Sequence, residues 1–253
     1  MTELVLVDFD DTLVETAPAF HKAREALFLR LEGEGFSREE SHRVHHQEVD
    51  PELLARHGMG PFRMEHSFSE TYLRLCEHGG MQADPDIAEE CAALGRDFLG
   101  RPKVMDGSLE ALATLSAEVP TALFSQAAQT EYQRRRIRQA GVMEILDEDR
   151  ILITARKTPR TFQQALEHFS LREPSLAVMI GNSLRSDINP ALTVGARAVL
   201  VEPYEMWHYD NVPPVSLDFL RFPAFPHAVR HLVNNGMLNK GGPLPHGPAP
   251  DQT

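Results

Sequence analysis

The sequence is short of cysteine, of lysine and of long apolar runs, and each shortage excludes something. Cys76 and Cys91 are the only cysteines, and they form neither a metal-binding spacing nor a disulfide framework. A reducing, cytoplasmic setting is therefore expected. No apolar stretch approaches the roughly 18 residues of a membrane span, so no membrane partner is expected. The N-terminus enters an apolar run directly, without a basic region, and predicts no secretory signal. Positive charge is scarce, with 25 Lys and Arg against 37 Asp and Glu and a formal net charge of −12. General nucleic-acid binding needs clustered positive charge and is not expected. A small anionic substrate remains compatible, because a local site can be positive within a negative surface. The lysines are Lys22, Lys103, Lys157 and Lys240 alone.

What is present starts at once. Leu4-Val5-Leu6-Val7 reads as a strand buried on both faces, as in a parallel sheet covered by helices. It ends in Asp8-Phe9-Asp10-Asp11-Thr12-Leu13. Three acids within four positions at the end of a buried strand ask for a cation or for a catalytic purpose, because burying unpaired carboxylates is costly. Asp8 and Asp10 are two apart, so on extended backbone they project to one side. Asp11 is expected to shape the turn.

From about residue 15 to 102 the pattern is helical only. Pro18 suits a first turn, and Phe20, Ala23, Leu27 and Leu31 recur at helical spacing. Ser37 to Glu40 has the capping-box form, and the helix it opens is expected to break at Pro51. A third helix should carry Phe62, Phe68, Tyr72 and Leu75 on its apolar side. A fourth should start at Asp84-Pro85 and carry Ile87, Cys91, Leu94 and Phe98. After residue 103, helices alternate with short apolar strands near 119–124, 151–153, 176–180 and 198–201. That alternation predicts a parallel sheet with helices on both faces. The expected fold class is thus α/β, a Rossmann-like core formed by 1–14 and 103–235 with an inserted all-helical cap, 15–102. Residues 236–253, rich in Pro and Gly towards the end, are expected to be a disordered tail.

Ligands of open parallel sheets bind beyond the carboxyl ends of the strands. The residues there are Asp8 and Asp10 after the first strand and Ser125 after TALF. Arg156 and Lys157 follow ILIT, and Asn182, Ser183 and Asp187 follow VMIG. DFDDT, LFS, ARKTP and GNSLRSDI, in this order, resemble the four motifs of the haloacid dehalogenase superfamily, which consists mostly of phosphatases. The helical stretch lies where that superfamily inserts its first type of cap.

The resemblance implies Mg²⁺-dependent hydrolysis of a small phosphorylated metabolite, and the residue types suit that chemistry. Asp8 would attack phosphorus and form an aspartyl phosphate. Asp10 would protonate the leaving alkoxide and then deprotonate water. Ser125 would hydrogen-bond a phosphoryl oxygen, and Lys157 would offset negative charge. Asp8, Asp187, Asn182 and the Asp10 carbonyl would hold the metal through oxygen. Asn182 departs from the superfamily's usual Asp, which leaves one anion fewer and predicts weaker Mg²⁺ binding. Dehalogenases of the superfamily lack an acid equivalent to Asp10, so its presence favours phosphate esters. A phosphosugar mutase, or a catalytically degenerate binding protein, are the alternatives.

Other clusters have plainer readings. His42, His45 and His46 are expected on a solvated helix face, as are Arg134, Arg135, Arg136 and Arg138. Trp207 is expected to pack the returning chain against the core.

Overall fold

The computed structural model describes residues 2–58, 60, 62–96, 100–203 and 212–238. The chain divides into two compact units, one of 1–15 with 101–253 and one of 16–100.

The first unit is built on β1 (Leu4–Val7), β4 (Thr121–Gln126), β5 (Ile151–Thr154), β6 (Ala177–Gly181), β7 (Arg197–Val201) and β8 (Leu220–Phe222). These pair in parallel in the order β5-β4-β1-β6-β7-β8. Helices α6 (Ser108–Glu118), α7 (Thr130–Gln139), α8 (Pro159–His168), α9 (Asn189–Thr193) and α10 (Phe225–Asn234) complete it. Alternation along β1 separates two cores. Val5 and Val7 join Leu112, Ile137, Phe225 and Leu232 from α6, α7 and α10. Leu4 and Leu6 join Phe162, Leu166 and Ala191 from α8 and α9. Helices therefore cover both faces, and every β1 side chain is buried, which is why the strand reads as an unbroken apolar run. The chain moves from β1 outward through β4 and β5, then restarts on the other side of β1 with β6. That reversal makes the carboxyl end of β1 the ligand crevice of such a sheet.

A small antiparallel pair, β2 (Val14–Glu15) with β3 (Lys103–Val104), holds together the points where the chain leaves and re-enters this unit. Lys103 Nζ lies 2.8 Å from Glu15.

The second unit contains α1 (Ala17–Gly33), α2 (Arg38–Arg43), α3 (Asp50–His57), α4 (Phe62–His78) and α5 (Pro85–Gly95). Ser37 caps α2 by accepting from the Glu40 amide. Pro51 does not break the helix it follows. A π-helical turn, Val44–Val49, joins α2 to α3, and Pro51 falls in the first turn of α3, where its missing N–H costs nothing. The core here is Leu27, Phe28, Leu31, Val44, Phe68, Tyr72, Leu75 and Cys91 with their neighbours. Phe62, expected on the apolar side, is 57% exposed.

Of the three histidines, His42 is exposed as expected and His45 is not. His45 is 1% exposed and meets the Thr71 hydroxyl through Nδ1 at 3.1 Å, within a buried polar group that includes Ser67 and an Asp50–Arg63 ion pair. Burial holds its pKa well below the usual value, with His46 and the nearby arginines acting in the same sense. Burial also pushes the Cys91 thiol up to about 11.

Residues 236–238, expected in a disordered tail, instead run beside Thr2. The Met237 carbonyl accepts from the Thr2 amide at 3.1 Å, and Leu238 bridges to Thr2. Trp207, Phe98 and the tail from 239 onward lie outside the described residues. No helix among those residues is long and apolar enough to cross a membrane.

Candidate active site

Asp8 is the first residue beyond β1. Its amide donates to the Ile180 carbonyl at 2.9 Å, which continues the sheet's pairing by one residue. The turn behind it is tight: the amides of Leu13 and Val14 both donate to the Phe9 carbonyl, and Asp11 adopts φ 55°. Asp and Asn tolerate that left-handed conformation better than most residues. Phe9 anchors the turn in the core beneath.

Lys157, carried on the loop that precedes α8, is buried between two carboxylates. Its Nζ lies 2.5 Å from Asp8 Oδ1 and 2.6 Å from Asp187 Oδ1. Its backbone amide donates to Gln126 Oε1 at 2.7 Å, so the end of β4 fixes the loop. Thr158 then caps α8 through a reciprocal pair of bonds with Thr161. Burial pushes the Asp8 carboxyl up to about 8, opposed by Lys157 and reinforced by Asp187. Burial pulls Lys157 down, but Asp187 and Asp8 outweigh it and hold the ammonium above its usual pKa. With both carboxyls ionised, two charges against one ammonium would leave an excess of negative charge for a cation to offset.

Asp187 lies on a π-helical turn, Leu184–Ile188, which precedes α9; the predicted helix from 187 thus begins as a wider coil. Its Oδ2 accepts from the Ser183 amide at 3.0 Å. Each of its oxygens thus accepts one protein hydrogen and keeps a second acceptor position that could meet a cation.

Two oxygen-bearing groups, the Asn182 amide and the Asp10 carbonyl, converge beside Asp8. The end of the Asn182 side chain lies 3.2 Å from the Asp10 carbonyl oxygen and 3.3 Å from Asp8 Oδ2. Without a cation, the Asn182 amide nitrogen suits this position, since it can donate to both. With a cation, the amide oxygen suits it, because neighbouring ligands of an octahedral Mg²⁺ stand about 3 Å apart. The donor set fits a hard, oxygen-binding divalent ion. Among the described residues no three His, Cys, Asp or Glu side chains group as a metal site, so any such site must draw on the amide and the backbone carbonyl.

The Asp10 side chain turns to α7. Its Oδ1 accepts from Arg136 at 2.6 Å and its Oδ2 from Gln133 Nε2 at 2.6 Å. Gln133 also donates to Ser125 Oγ at 3.0 Å. Ser125 lies inside β4 and not at a helix cap. The arginine-rich helix was expected to be an exposed face, yet Arg136 and Gln133 are each only 3% exposed. Helical spacing from buried Ile137 was the available signal, since Gln133 lies one turn before it; four arginines in five positions masked it.

A parallel α/β core with its polar residues gathered at the strand ends defines a Rossmann-like fold with its ligand crevice at the end of β1. Residues 2–195 match haloacid dehalogenase-like hydrolases, and the chain belongs to that family. A haloacid dehalogenase-like hydrolase from Xanthomonas campestris is 26% identical with a TM-score of 0.73, over 93% of this chain and 94% of that one. A HAD-hydrolase from Bacillus subtilis, bound to magnesium, is 16% identical with a TM-score of 0.61, over 92% and 99%. Other structures of this fold carry the names of a phosphatase, a beta-phosphoglucomutase and a 2-haloacid dehalogenase. A search of curated proteins gave no significant match.

Proposed function

We propose that the protein hydrolyses a small phosphate monoester with the aid of Mg²⁺. The observation that carries this reading is Asp10, a second carboxylate fixed beside Asp8 by two donors from α7. Such an acid serves an alkoxide leaving group and has no task in halide displacement. Asp8, relieved of charge by Lys157, attacks phosphorus in line with the ester oxygen. As the phosphorus–oxygen bond breaks, its electron pair stays on the ester oxygen, which takes a proton from Asp10. Asp10, now a carboxylate, removes a proton from water as that water attacks the aspartyl phosphate, releasing phosphate and restoring Asp8. Ser125 donates to a phosphoryl oxygen.

Asp8, the Asp10 carbonyl, Asn182 and Asp187 would hold Mg²⁺, which supplies positive charge against the phosphoryl oxygens. Asp187 contributes its charge through Lys157. The helical unit of 16–100 is assigned the choice of leaving group. Phosphate release from a panel of monoesters, with and without Mg²⁺, tests the reading. Activity that needs Mg²⁺ and is abolished by Asp8→Asn is expected; turnover in a folded Asp8→Asn protein would overturn the mechanism.

A further inference from the structure

We infer that Gln133 and Arg136 form a positioning device on α7, which sets Asp10 and Ser125 in register with one another. This inference rests on the phosphatase reading. Gln133 and Arg136 are three apart, so they share one face of α7, and both are buried. Arg136 cannot accept a hydrogen bond. Its NH1 lies 3.1 Å from Gln133 Oε1, so that contact fixes which end of the Gln133 amide is oxygen. Nε2 is then left as the donor that reaches both Asp10 Oδ2, at 2.6 Å, and Ser125 Oγ, at 3.0 Å. One amide thereby ties the turn after β1 to the end of β4. Arg136 adds the bond to Asp10 Oδ1, and its guanidinium stands over the buried Phe9 ring, 5.5 Å from the centroid. Phe9 lies in the acidic turn itself, so the arginine holds the turn from two sides.

The geometry leaves the chemistry free. Each carboxyl oxygen has two acceptor positions, and the two donors from α7 use one on each. Held at both oxygens, Asp10 keeps one orientation as acid and as base. Ser125, accepting from Gln133, keeps its own hydroxyl proton for a phosphoryl oxygen. A buried guanidinium without an anion would be costly, so Arg136 also opposes any rotamer that takes Asp10 away.

Leaving-group dependence separates positioning from general stability. A p-nitrophenolate departs with little help, whereas a primary alkoxide needs the Asp10 proton. We compare p-nitrophenyl phosphate with a primary alkyl phosphate in wild type, Arg136→Met, Arg136→Lys and Gln133→Leu, with folding checked by circular dichroism. For Arg136→Met, kcat with the alkyl ester should fall by about tenfold or more beyond any fall with the nitrophenyl ester, at similar KM. Arg136→Lys should recover part of that gap. Gln133→Leu should slow both esters, because Ser125 serves the phosphoryl group whatever leaves, and the alkyl ester more, because Asp10 also loses a donor. If Arg136→Met does not fold, the gap in Gln133→Leu and Arg136→Lys decides. Equal losses on the two esters, or none, would overturn the positioning role while leaving the phosphatase reading intact. A wild type that releases phosphate from neither ester would overturn both.

Discussion

At Gly181 the strand β6 ends and the Asp187 carboxylate folds back over the backbone. A Cβ at this position would stand 2.4 Å from the Asp187 carboxyl carbon and 2.4 Å from its Oδ2. Alanine there must push Asp187 off Lys157, leaving a buried ammonium with one partner. Breaking a buried pair costs about 3–5 kcal/mol, so Gly181→Ala should lower the unfolding free energy on that scale and reduce turnover. A denaturation midpoint matching wild type would show that Asp187 relaxes at no cost. Asn182 allows a second test at this scale. Asparagine serves both with and without a cation, by presenting nitrogen or oxygen to the Asp10 carbonyl and Asp8 Oδ2. Aspartate can serve only with one. Asn182→Asp should therefore melt lower than wild type in EDTA and gain more on adding Mg²⁺, since a ligand stabilises the folded state more the further its concentration exceeds its Kd. Equal Mg²⁺-induced shifts in the two proteins would remove Asn182 from the metal shell. Asp8, Ser125, Lys157, Asn182 and Asp187 were legible in the sequence because each follows or ends an apolar strand, where a polar residue needs a reason. Arg136 was not, because arginine on a helix ordinarily faces water and its partner is 126 positions away.

Elements carry constraints that no single residue shows. The π-helical turn between α2 and α3 widens the coil and brings His45 against Ser67 and Thr71 of α4. The Thr71 hydroxyl donates to the Ser67 carbonyl at 2.7 Å, so towards His45 it can only accept, and Nδ1 carries the ring's hydrogen. That bond serves the ring in either charge state, and it is burial that disfavours the charged one. Its pKa is lowered by burial, so the unfolded chain binds a proton that the folded chain refuses. The contribution is fully present above the unfolded value near 6.5 and is lost as pH falls below it, by about 1.4 kcal/mol per pH unit. His45→Asn, which keeps a donor near the Nδ1 position, should flatten this part of the stability profile between pH 7 and 5. An unchanged slope in urea titrations would mean that other groups set it. Where α5 crosses α4, a Cβ on Gly95 would lie 2.5 Å from the Met64 carbonyl oxygen. Gly95→Ala should therefore cost about 1–3 kcal/mol by forcing the helices apart. Helix α4 was legible from its buried Phe68, Tyr72 and Leu75. The π-turn was not, because its sequence differs from an α-helix only in how Pro51 is received. Strand β8 escaped notice for another reason: its three residues are half-buried or exposed and follow a proline-rich stretch without alternation.

For the whole molecule, the question is how a chain interrupted for 85 residues keeps one fold. Among the described residues, the two apolar cores of the sheet unit draw none from 16–100, and the core of the helical unit draws none from outside it. The ends of the interruption are already joined, since Val14 pairs with Val104 and Glu15 with Lys103. Paired residues on antiparallel strands lie about 5 Å apart, so a few residues of Gly and Ser can close the gap with little loop entropy. The far ends of the sheet unit are tied in the same way, through Thr2 to Met237 and to the Arg197 guanidinium. A protein with 16–100 replaced by such a linker should unfold in one cooperative transition and still raise its melting temperature with Mg²⁺. Every residue assigned to the chemistry lies in the retained unit, so p-nitrophenyl phosphate should still be cleaved. Discrimination among natural monoesters should narrow, because the residues assigned to the leaving group are gone. A shortened protein without a cooperative transition would show that the sheet unit depends on the helices for its stability, against the separation of the cores. A folded one with undiminished discrimination would return substrate choice to the strand ends.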